Sequence, residues 1–242
     1  MGGNKIKVAY LLPNLFTAGS IFLGMMSIEA SIKGDYLWAG WCILLSLICD
    51  GLDGRVARMT NTTSKFGVEF DSLADVVAFG VAPAVFYYAF IGSSLGRYGL
   101  LVAALFVIFG AVRLARFNVQ VGEVEPNVFI GVPIPTAAVF VTAQMMLLST
   151  VPHVEECMMG VTFSMVIAGV LMVSNIRYPS FKKLDMSRAN FVRMLVGLIV
   201  LFSTLYLYPL YALVALSSGY VVYGIVRGAY YKLFGKRIAL KK

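Results

Sequence analysis

Long apolar runs separated by short polar segments make up almost the whole chain. Eight runs of roughly 18 to 25 residues recur from end to end, each long enough to cross a hydrocarbon core of about 30 Å as a helix. They cover approximately residues 10–30, 37–54, 68–91, 98–118, 132–150, 157–175, 191–208 and 210–231. Lipid offers no partner to an unpaired backbone, and barrel strands would show alternating segments of about ten residues instead. The pattern therefore predicts an all-α, polytopic membrane helix bundle.

Composition supports lipid as the solvent of this chain. Of its 242 residues, 60% are hydrophobic and 13% are charged, whereas soluble domains are about half apolar and about a quarter charged. The three cysteines, Cys42, Cys49 and Cys157, lack the spacing of a metal finger or a redox pair and are interpreted as packing residues. No soluble domain or long linker is visible, so residues 1–242 are predicted to form one membrane domain.

The distribution of basic residues predicts the orientation. With the N-terminus inside, 18 of the 20 Lys and Arg residues fall on the inner side, and only Lys33 and Arg97 fall outside. This bias follows the positive-inside rule, so we expect both termini to be cytoplasmic, in an integral protein of the cytoplasmic membrane. The net charge of +8 is explained by attraction to anionic lipid and requires no nucleic acid partner.

Four aspartates lie within two neighbouring apolar runs. Asp50 and Asp53 are three residues apart and Asp71 and Asp75 are four apart, so each pair lies on one face of its helix. A loop of about a dozen residues would join the two helices on the inner side, which makes them antiparallel and brings both pairs near the cytoplasmic interface. Four adjacent carboxylates repel one another unless cations compensate them, and oxygen ligands favour hard cations. The residues predict a paired site for hard cations such as Mg²⁺, Mn²⁺ or Ca²⁺, of which we expect Mg²⁺ or Mn²⁺; buried hydrogen bonding between helices is the alternative.

Small and basic residues accompany the aspartates. Gly51, Gly54 and Gly67 leave room for a bulky ligand near the helix backbones, and Arg58 offers a planar fork suited to phosphate. Close helix packing and a snorkelling arginine are the alternatives for these residues taken singly. In the first run, polar Asn14 and Thr17 are candidate nucleotide contacts, or else belong to a helix start led by Pro13 with a locally bonded hydroxyl.

Residues 50–75 carry the pattern D-x2-D-G-x2-A-R-x8-G-x3-D-x3-D without a departure. This pattern resembles the signature of the CDP-alcohol phosphotransferase family. The resemblance implies that the four aspartates surround two divalent metal ions and that Asp75 also deprotonates the attacking alcohol. It further implies a CDP site lined by Gly54, Ala57, Arg58 and Gly67, with Ser64 as a possible contact of the diphosphate.

Three further segments on the inner side resemble the phosphatidylserine synthase branch of that family. They are R-L-A-R-F-N at 113–118, G-V-P-I-P at 131–135 and R-Y-P-S-F-K at 177–182, and the resemblance then covers most of residues 10–185. It implies that the hydroxyl of L-serine attacks the β-phosphate of CDP-diacylglycerol, giving phosphatidylserine and CMP. Arg113 or Arg116 would hold the serine carboxylate, and Glu123 or Glu125 its ammonium group. Positive-inside charge and a solvated acidic loop are the alternative for these residues.

The last two runs, within 190–231, are interpreted as a C-terminal helix pair added to a six-helix catalytic core at 10–185, with packing or oligomer contacts. The resemblance also implies a homodimer.

Several alternative functions remain open. Two of them keep the same chemistry: transfer to another acceptor, glycerol 3-phosphate or inositol phosphate, and archaetidylserine synthesis on an ether lipid. An ion-coupled transporter is the rival class, but its sites typically lie on broken helices repeated in two halves, and the apolar runs within 132–231 carry no second acidic pair.

Overall fold

The chain is described here from a computed structural model, which covers residues 3–120, 128–152, 157–179 and 188–239. The described residues form nine α-helices: α1 (Gly3–Lys33), α2 (Tyr36–Met59), α3 (Lys65–Asp75), α4 (Ala82–Phe90), α5 (Arg97–Gln120), α6 (Ile134–Leu148), α7 (Met158–Val173), α8 (Arg188–Leu207) and α9 (Pro209–Ala239). Each of the eight apolar runs coincides with helical structure. The predicted all-α class is confirmed.

The predicted number of eight membrane crossings is confirmed only in part. Five helical segments in the described ranges are long and apolar enough to span a membrane: Leu11–Lys33, Tyr36–Met59, Lys65–Phe90, Arg97–Val119 and Pro209–Gly228. The apolar helices Ile134–Leu148, Met158–Val173 and Met194–Leu207 are shorter. The sixth predicted run, 157–175, continued past the end of α7 at Val173 because apolarity alone does not mark where a helix stops.

The connection between α2 and α3 is shorter than the predicted dozen residues. Helix α2 continues through Arg55 and Arg58 to Met59, and α3 begins at Lys65. Arginine is a good helix former and is tolerated where a helix reaches the membrane surface, so the end of the apolar run is not the end of the helix. Ser64 starts α3 as its N-cap, because its hydroxyl accepts a 3.0 Å hydrogen bond from the backbone N–H of Gly67.

A π-helical turn, Val76–Val81, joins α3 to α4 directly after Asp75. The backbone N–H of Ala82 donates to the carbonyl of Val77, five residues back, and Pro83 follows with no N–H to donate. Proline interrupts the regular α-helical ladder at this position, and the wider turn accommodates that interruption within a continuous helical segment. The fully buried ring of Phe79 lies in this turn, so the irregular segment belongs to the core.

Small residues allow α1 to pack closely on α2 and on the π-helical turn. The hydroxyls of Ser20 and Ser46 lie 2.7 Å apart between α1 and α2. A Cβ atom on Gly24 would lie 3.0 Å from Cα of Ala78, so glycine is required for this approach. The larger buried side chains fill the middle of the bundle: Phe79, Phe86, Tyr87, Phe106, Met145, Met146, Met165 and Met172.

Within the described ranges, the apolar pattern did not predict a two-stranded ribbon. Strands β1 (Val128–Ile130) and β2 (Arg177–Pro179) pair antiparallel, with Phe129 opposite Tyr178. Gly131 follows β1 with a φ of +75°, which favours glycine, and donates its N–H to the carbonyl of Ile176 at 2.9 Å. The ribbon thus ties the chain entering α6 to the chain leaving α7.

Candidate active site

The four aspartates meet where α2 and α3, which both pack on α1, face one another. Asp53 lies six residues before the end of α2 and Asp71 six residues after the start of α3, which places them at equal depth on antiparallel helices. Asp50, Asp53 and Asp71 each offer one carboxylate oxygen, and these three oxygens all lie within 4.8 Å of one another. Asp75 lies next to Asp50, within reach of its carboxylate.

The cluster has the properties of a site for a hard divalent cation. Carboxylates cannot donate hydrogen bonds to one another, and one oxygen each of Asp71 and Asp75 is buried with no hydrogen-bond partner among the described residues. Buried polar atoms normally have a partner, so these two oxygens indicate a missing ligand. Oxygen-only donors that are close enough to share a cation suit Mg²⁺ or Mn²⁺, and the residues therefore fit the predicted kind of metal.

Thr17 supports the cluster from the neighbouring helix. Its hydroxyl donates a 2.7 Å hydrogen bond to Oδ2 of Asp53, and the carbonyl of Pro13 lies 3.2 Å from the same hydroxyl. The Thr17 hydroxyl thus lies within hydrogen-bond distance of a local partner, Pro13, as one alternative held, and its contact with a nucleotide stays a prediction. Both Thr17 and Asp53 are buried, so this hydrogen bond lies inside the protein.

A cleft opens beside the aspartates between α1, α2 and the start of α3. All seven residues predicted to contact CDP line it together with two of the aspartates and four other residues: Pro13, Asn14, Thr17, Asp53, Gly54, Ala57, Arg58, Thr62, Thr63, Ser64, Gly67, Val68 and Asp71. These residues lie on α1, α2, α3 and the loop between α2 and α3, and the fold brings them to one cavity. Asp50 and Asp75 are not among the lining residues.

Two glycines set the width of this cleft. A Cβ atom on Gly67 would lie 3.2 Å from the Ser64 hydroxyl, which it would crowd, and 3.7 Å from the Asn14 amide oxygen, an ordinary contact. A Cβ atom on Gly54 would lie 3.5 Å from the Arg58 guanidinium. Gly51, by contrast, faces open space and does not line the cleft. Of the three glycines near the aspartates, only Gly54 and Gly67 therefore leave room at the cavity.

The two arginines of the R-L-A-R-F-N segment have different environments. Arg116 uses its guanidinium nitrogens to donate hydrogen bonds of 3.2 to 3.3 Å to the carbonyls of Val173, Ser174 and Ile130 and to the Asn175 side chain. It therefore clamps the end of α5 to the ribbon.

Arg113 points into the protein instead. It is buried, its charge interacts with that of Asp75, and its Nε atom has no hydrogen-bond partner within the described ranges. Its guanidinium carbon lies 5.5 Å from the centroid of the Phe117 ring. Of the two arginines, Arg113 is the one that faces the aspartates.

Three further residues concern the site: two that were predicted to contribute to it and one that was not. Glu123 and Glu125, predicted to meet an ammonium group, lie outside the described residues. Asn118, which was quoted only as part of the R-L-A-R-F-N pattern, donates a 3.0 Å hydrogen bond from its amide to the hydroxyl of Ser72, next to Asp71. A polar residue at the inner end of a membrane helix was the available signal for this contact.

The fold and the site define a helical membrane protein with an acidic cluster beside a polar cleft. A sequence model of the family described as CDP-alcohol phosphatidyltransferase matches residues 10–176. The chain belongs to this family, as its aspartate pattern predicted.

Relatives with known names extend this finding along most of the chain. The chain is 52% identical to the CDP-diacylglycerol--serine O-phosphatidyltransferase of Helicobacter pylori, over 92% of each protein. It is 38% identical to the protein of the same name from Methanocaldococcus jannaschii, over 67% of this chain and 74% of that protein. It is also 38% identical to the archaetidylserine synthase of Methanothermobacter thermautotrophicus, over 78% of each.

Proposed function

We propose that the chain is a phosphatidylserine synthase, which transfers the phosphatidyl group of CDP-diacylglycerol to the hydroxyl of L-serine and releases CMP. The observation that carries the proposal is the acidic cluster of Asp50, Asp53 and Asp71, two of which, Asp53 and Asp71, also line the cleft. The similarity to the Helicobacter pylori protein, at 52% identity over 92% of each chain, supports serine as the acceptor.

The cleft between α1, α2 and α3 is the proposed CDP site. Arg58 and the hydroxyl of Ser64 would donate hydrogen bonds to the diphosphate, while Gly54, Ala57 and Gly67 leave space for it beside the helices. Asn14 and Thr17 close the cleft on the side of α1. Two divalent cations, Mg²⁺ or Mn²⁺, bound by Asp50, Asp53, Asp71 and Asp75 would neutralise charge that develops on the diphosphate.

Asp75 is the proposed general base. It is buried, one of its oxygens lacks a donor, and it lies beyond the lining of the cleft, towards Arg113. A carboxylate in this position can accept the proton of the serine hydroxyl while the serine oxygen forms a bond to the β-phosphorus. The bond from that phosphorus to the oxygen of CMP breaks, and CMP leaves with the electron pair.

Arg113 is the proposed partner of the serine carboxylate. Its buried guanidinium has an unused Nε donor near Asp75, so one side chain could hold the acceptor close to the base. Arg116 already donates to four oxygens, which favours a structural role for it. Glu123 and Glu125 remain predicted partners of the ammonium group.

The proposed setting is the inner face of the cytoplasmic membrane. We propose eight membrane crossings, a six-helix catalytic core at 10–185, a C-terminal pair at 190–231 and a homodimer, with both termini and the site facing the cytoplasm. The bias of basic residues supports this orientation. A site about two helical turns from the loop at 60–64 would keep the lipid tails in the bilayer while the headgroup meets soluble serine.

The second candidate function is archaetidylserine synthesis, which changes the lipid and keeps serine. The 38% identity to the Methanothermobacter thermautotrophicus enzyme favours it as the nearest alternative. Both functions require the same cluster and the same acceptor, so only the lipid substrate distinguishes them.

The test is CMP release by the protein purified in detergent with Mg²⁺ or Mn²⁺. CDP-diacylglycerol or its ether-lipid counterpart would be supplied, with L-serine, glycerol 3-phosphate or inositol phosphate as separate acceptors. Serine-dependent release with the diacyl lipid supports the proposal, and preference for the ether lipid supports the second candidate. CMP release only with another acceptor refutes serine as the acceptor. No CMP release with any acceptor favours the transporter class.

A further inference from the structure

Helix α3 carries two of the four aspartates and is covered by protein on one side only. Its main neighbours among the described residues are α1 and the π-helical turn. On its other side, Phe66 and Leu73 are 67% and 65% exposed, so their side chains are mostly uncovered. With about 3.6 residues per turn, these two side chains lie on the opposite side of the helix from Asp71 and Asp75. Packing alone therefore fixes the rotation of α3 about its own axis only weakly.

A hydrogen bond from α5 meets α3 beside its acidic face. The side-chain amide of Asn118 donates to the hydroxyl oxygen of Ser72 at 3.0 Å. That hydroxyl donates its own hydrogen to the carbonyl of Val68 at 3.1 Å, so its oxygen is oriented as the acceptor for Asn118. Ser72 lies three residues before Asp75 and about 60° from it around the helix. The bond therefore acts at the side of the helix, where it opposes rotation of the aspartates.

The end of α5 that carries Asn118 is itself fixed to the rest of the protein. Asn118 lies two residues before the end of the helix at Gln120, a position where helices commonly fray. Arg116 opposes fraying, because its guanidinium donates hydrogen bonds to carbonyls at the end of α7 and in strand β1. Side-chain hydrogen bonds therefore connect the ribbon to the end of α5, and the end of α5 to α3.

We infer that Asn118 is a positioning residue of the acidic cluster: through Ser72, it holds α3 in the rotation that turns its two aspartates towards those of α2. A rotation of about 20° would move a carboxylate that lies about 5 Å from the helix axis by about 2 Å. The oxygens of Asp50, Asp53 and Asp71 that could share a cation lie within 4.8 Å of one another, and metal sites tolerate distance changes of only about 0.2 Å. This inference rests on the metal site of the proposed function.

The test measures Mn²⁺ binding and turnover in Asn118→Ala and Ser72→Ala, purified in detergent. In each variant, the Mn²⁺ concentration that half-saturates the rise in unfolding temperature should increase about 10- to 100-fold, as for other residues that orient metal ligands. The kcat for CMP release should fall by a similar factor, because the carboxylates are misplaced. The unfolding temperature without metal should change by only a few degrees.

Control variants separate positioning from a general loss of structure. Ser72→Thr keeps the acceptor oxygen and should bind Mn²⁺ as the wild type does. Val119→Ala changes the residue next to Asn118, whose side chain is 82% exposed, and should also match the wild type. In the double variant Asn118→Ala/Ser72→Ala, the Mn²⁺ requirement should be no higher than in the weaker-binding single variant, because both changes remove the same bond.

Two results would overturn the inference. A Mn²⁺ requirement in Asn118→Ala and Ser72→Ala equal to that in Val119→Ala would leave the bond with a structural role only. Additive increases in the double variant would show that Asn118 does not act through Ser72. If Asn118→Ala does not fold, the comparison of Ser72→Ala with Ser72→Thr decides the question.

The outcomes also separate this inference from the proposed function. Wild-type protein that is stabilised by Mn²⁺ but releases no CMP with serine refutes the proposed function, while the Mn²⁺ measurements still test the inference. Wild-type protein that Mn²⁺ does not stabilise refutes the inference together with the proposed metal site. Serine-dependent activity of the wild type, with an unchanged Mn²⁺ requirement in the variants, refutes the inference and leaves the proposed function standing.

Discussion

The hydroxyl of Thr17 donates a 2.7 Å hydrogen bond to Oδ2 of Asp53 across 36 residues of sequence. Both residues are buried where α1 packs on α2. Outer partners of this kind orient metal-binding carboxylates and leave their other oxygen free. The contact therefore links helix α1, which carries no carboxylate of the cluster, to the proposed metal site.

Replacing Thr17 by Val should weaken metal binding. Valine is similar in shape but cannot donate a hydrogen bond, so the Asp53 carboxylate loses its orientation and the metal affinity should fall about 10- to 100-fold. The measurement is the Mn²⁺ concentration that gives half-maximal CMP release, together with the Mn²⁺ dependence of the unfolding temperature. Thr17→Ser keeps the donor and is the matched control. Equal Mn²⁺ requirements in both variants would contradict the role of the bond.

Asp75→Asn should separate the base from the metal site. The amide keeps the shape of the side chain but is no longer a base, so CMP release should fall at least about 100-fold. Stabilisation of the protein by Mg²⁺ or Mn²⁺ should largely persist, because Asp50, Asp53 and Asp71 form the closest group of oxygens. Asp53→Ala should lose both activity and metal-dependent stabilisation. Substantial CMP release by Asp75→Asn would remove this residue from the mechanism.

Arg116→Lys and Arg113→Lys should have different effects. Lysine cannot reproduce the fork with which Arg116 bonds Val173, Ser174 and Ile130, so Arg116→Lys should lower the free energy of unfolding by about 2 kcal/mol. Arg113→Lys should leave the unfolding temperature nearly unchanged and raise the KM for serine. Thermal unfolding in detergent and initial rates at varied serine concentration would be compared. The reverse pattern would assign the acceptor to Arg116.

Gly67→Ala should narrow the proposed CDP cleft. The added methyl group would lie 3.2 Å from the Ser64 hydroxyl and crowd it, so the KM for CDP-diacylglycerol should rise several-fold while the KM for serine stays constant. Gly51→Ala is the control, since its methyl group would face open space near the same aspartates. A change in both KM values would indicate a general disturbance of the site instead of a narrower cleft.

The features that could be predicted from the sequence are those that depend on local patterns of residues. Helices were predictable because lipid forces every backbone group to bond within its own segment, so apolar length alone identifies them. The aspartate pairs at 50 and 53 and at 71 and 75 were predictable because helical spacing places each pair on one face. The predicted helix ends were less accurate. Helix α2 extends five residues beyond the predicted end at Gly54, because hydropathy ends the run at charged residues, although Arg55 and Arg58 are good helix formers.

The sequence by itself determined the helical class, the acidic cluster and the candidate residues of the proposed CDP cleft. Tertiary structure alone decided that Thr17 bonds Asp53, that Arg116 clamps the ribbon while Arg113 faces Asp75, and that α9 covers Tyr178. The physical reason is distance along the chain. Spacing within a helix is a local property, whereas these contacts join residues many positions apart, and only close packing of separate helices selects which polar groups meet.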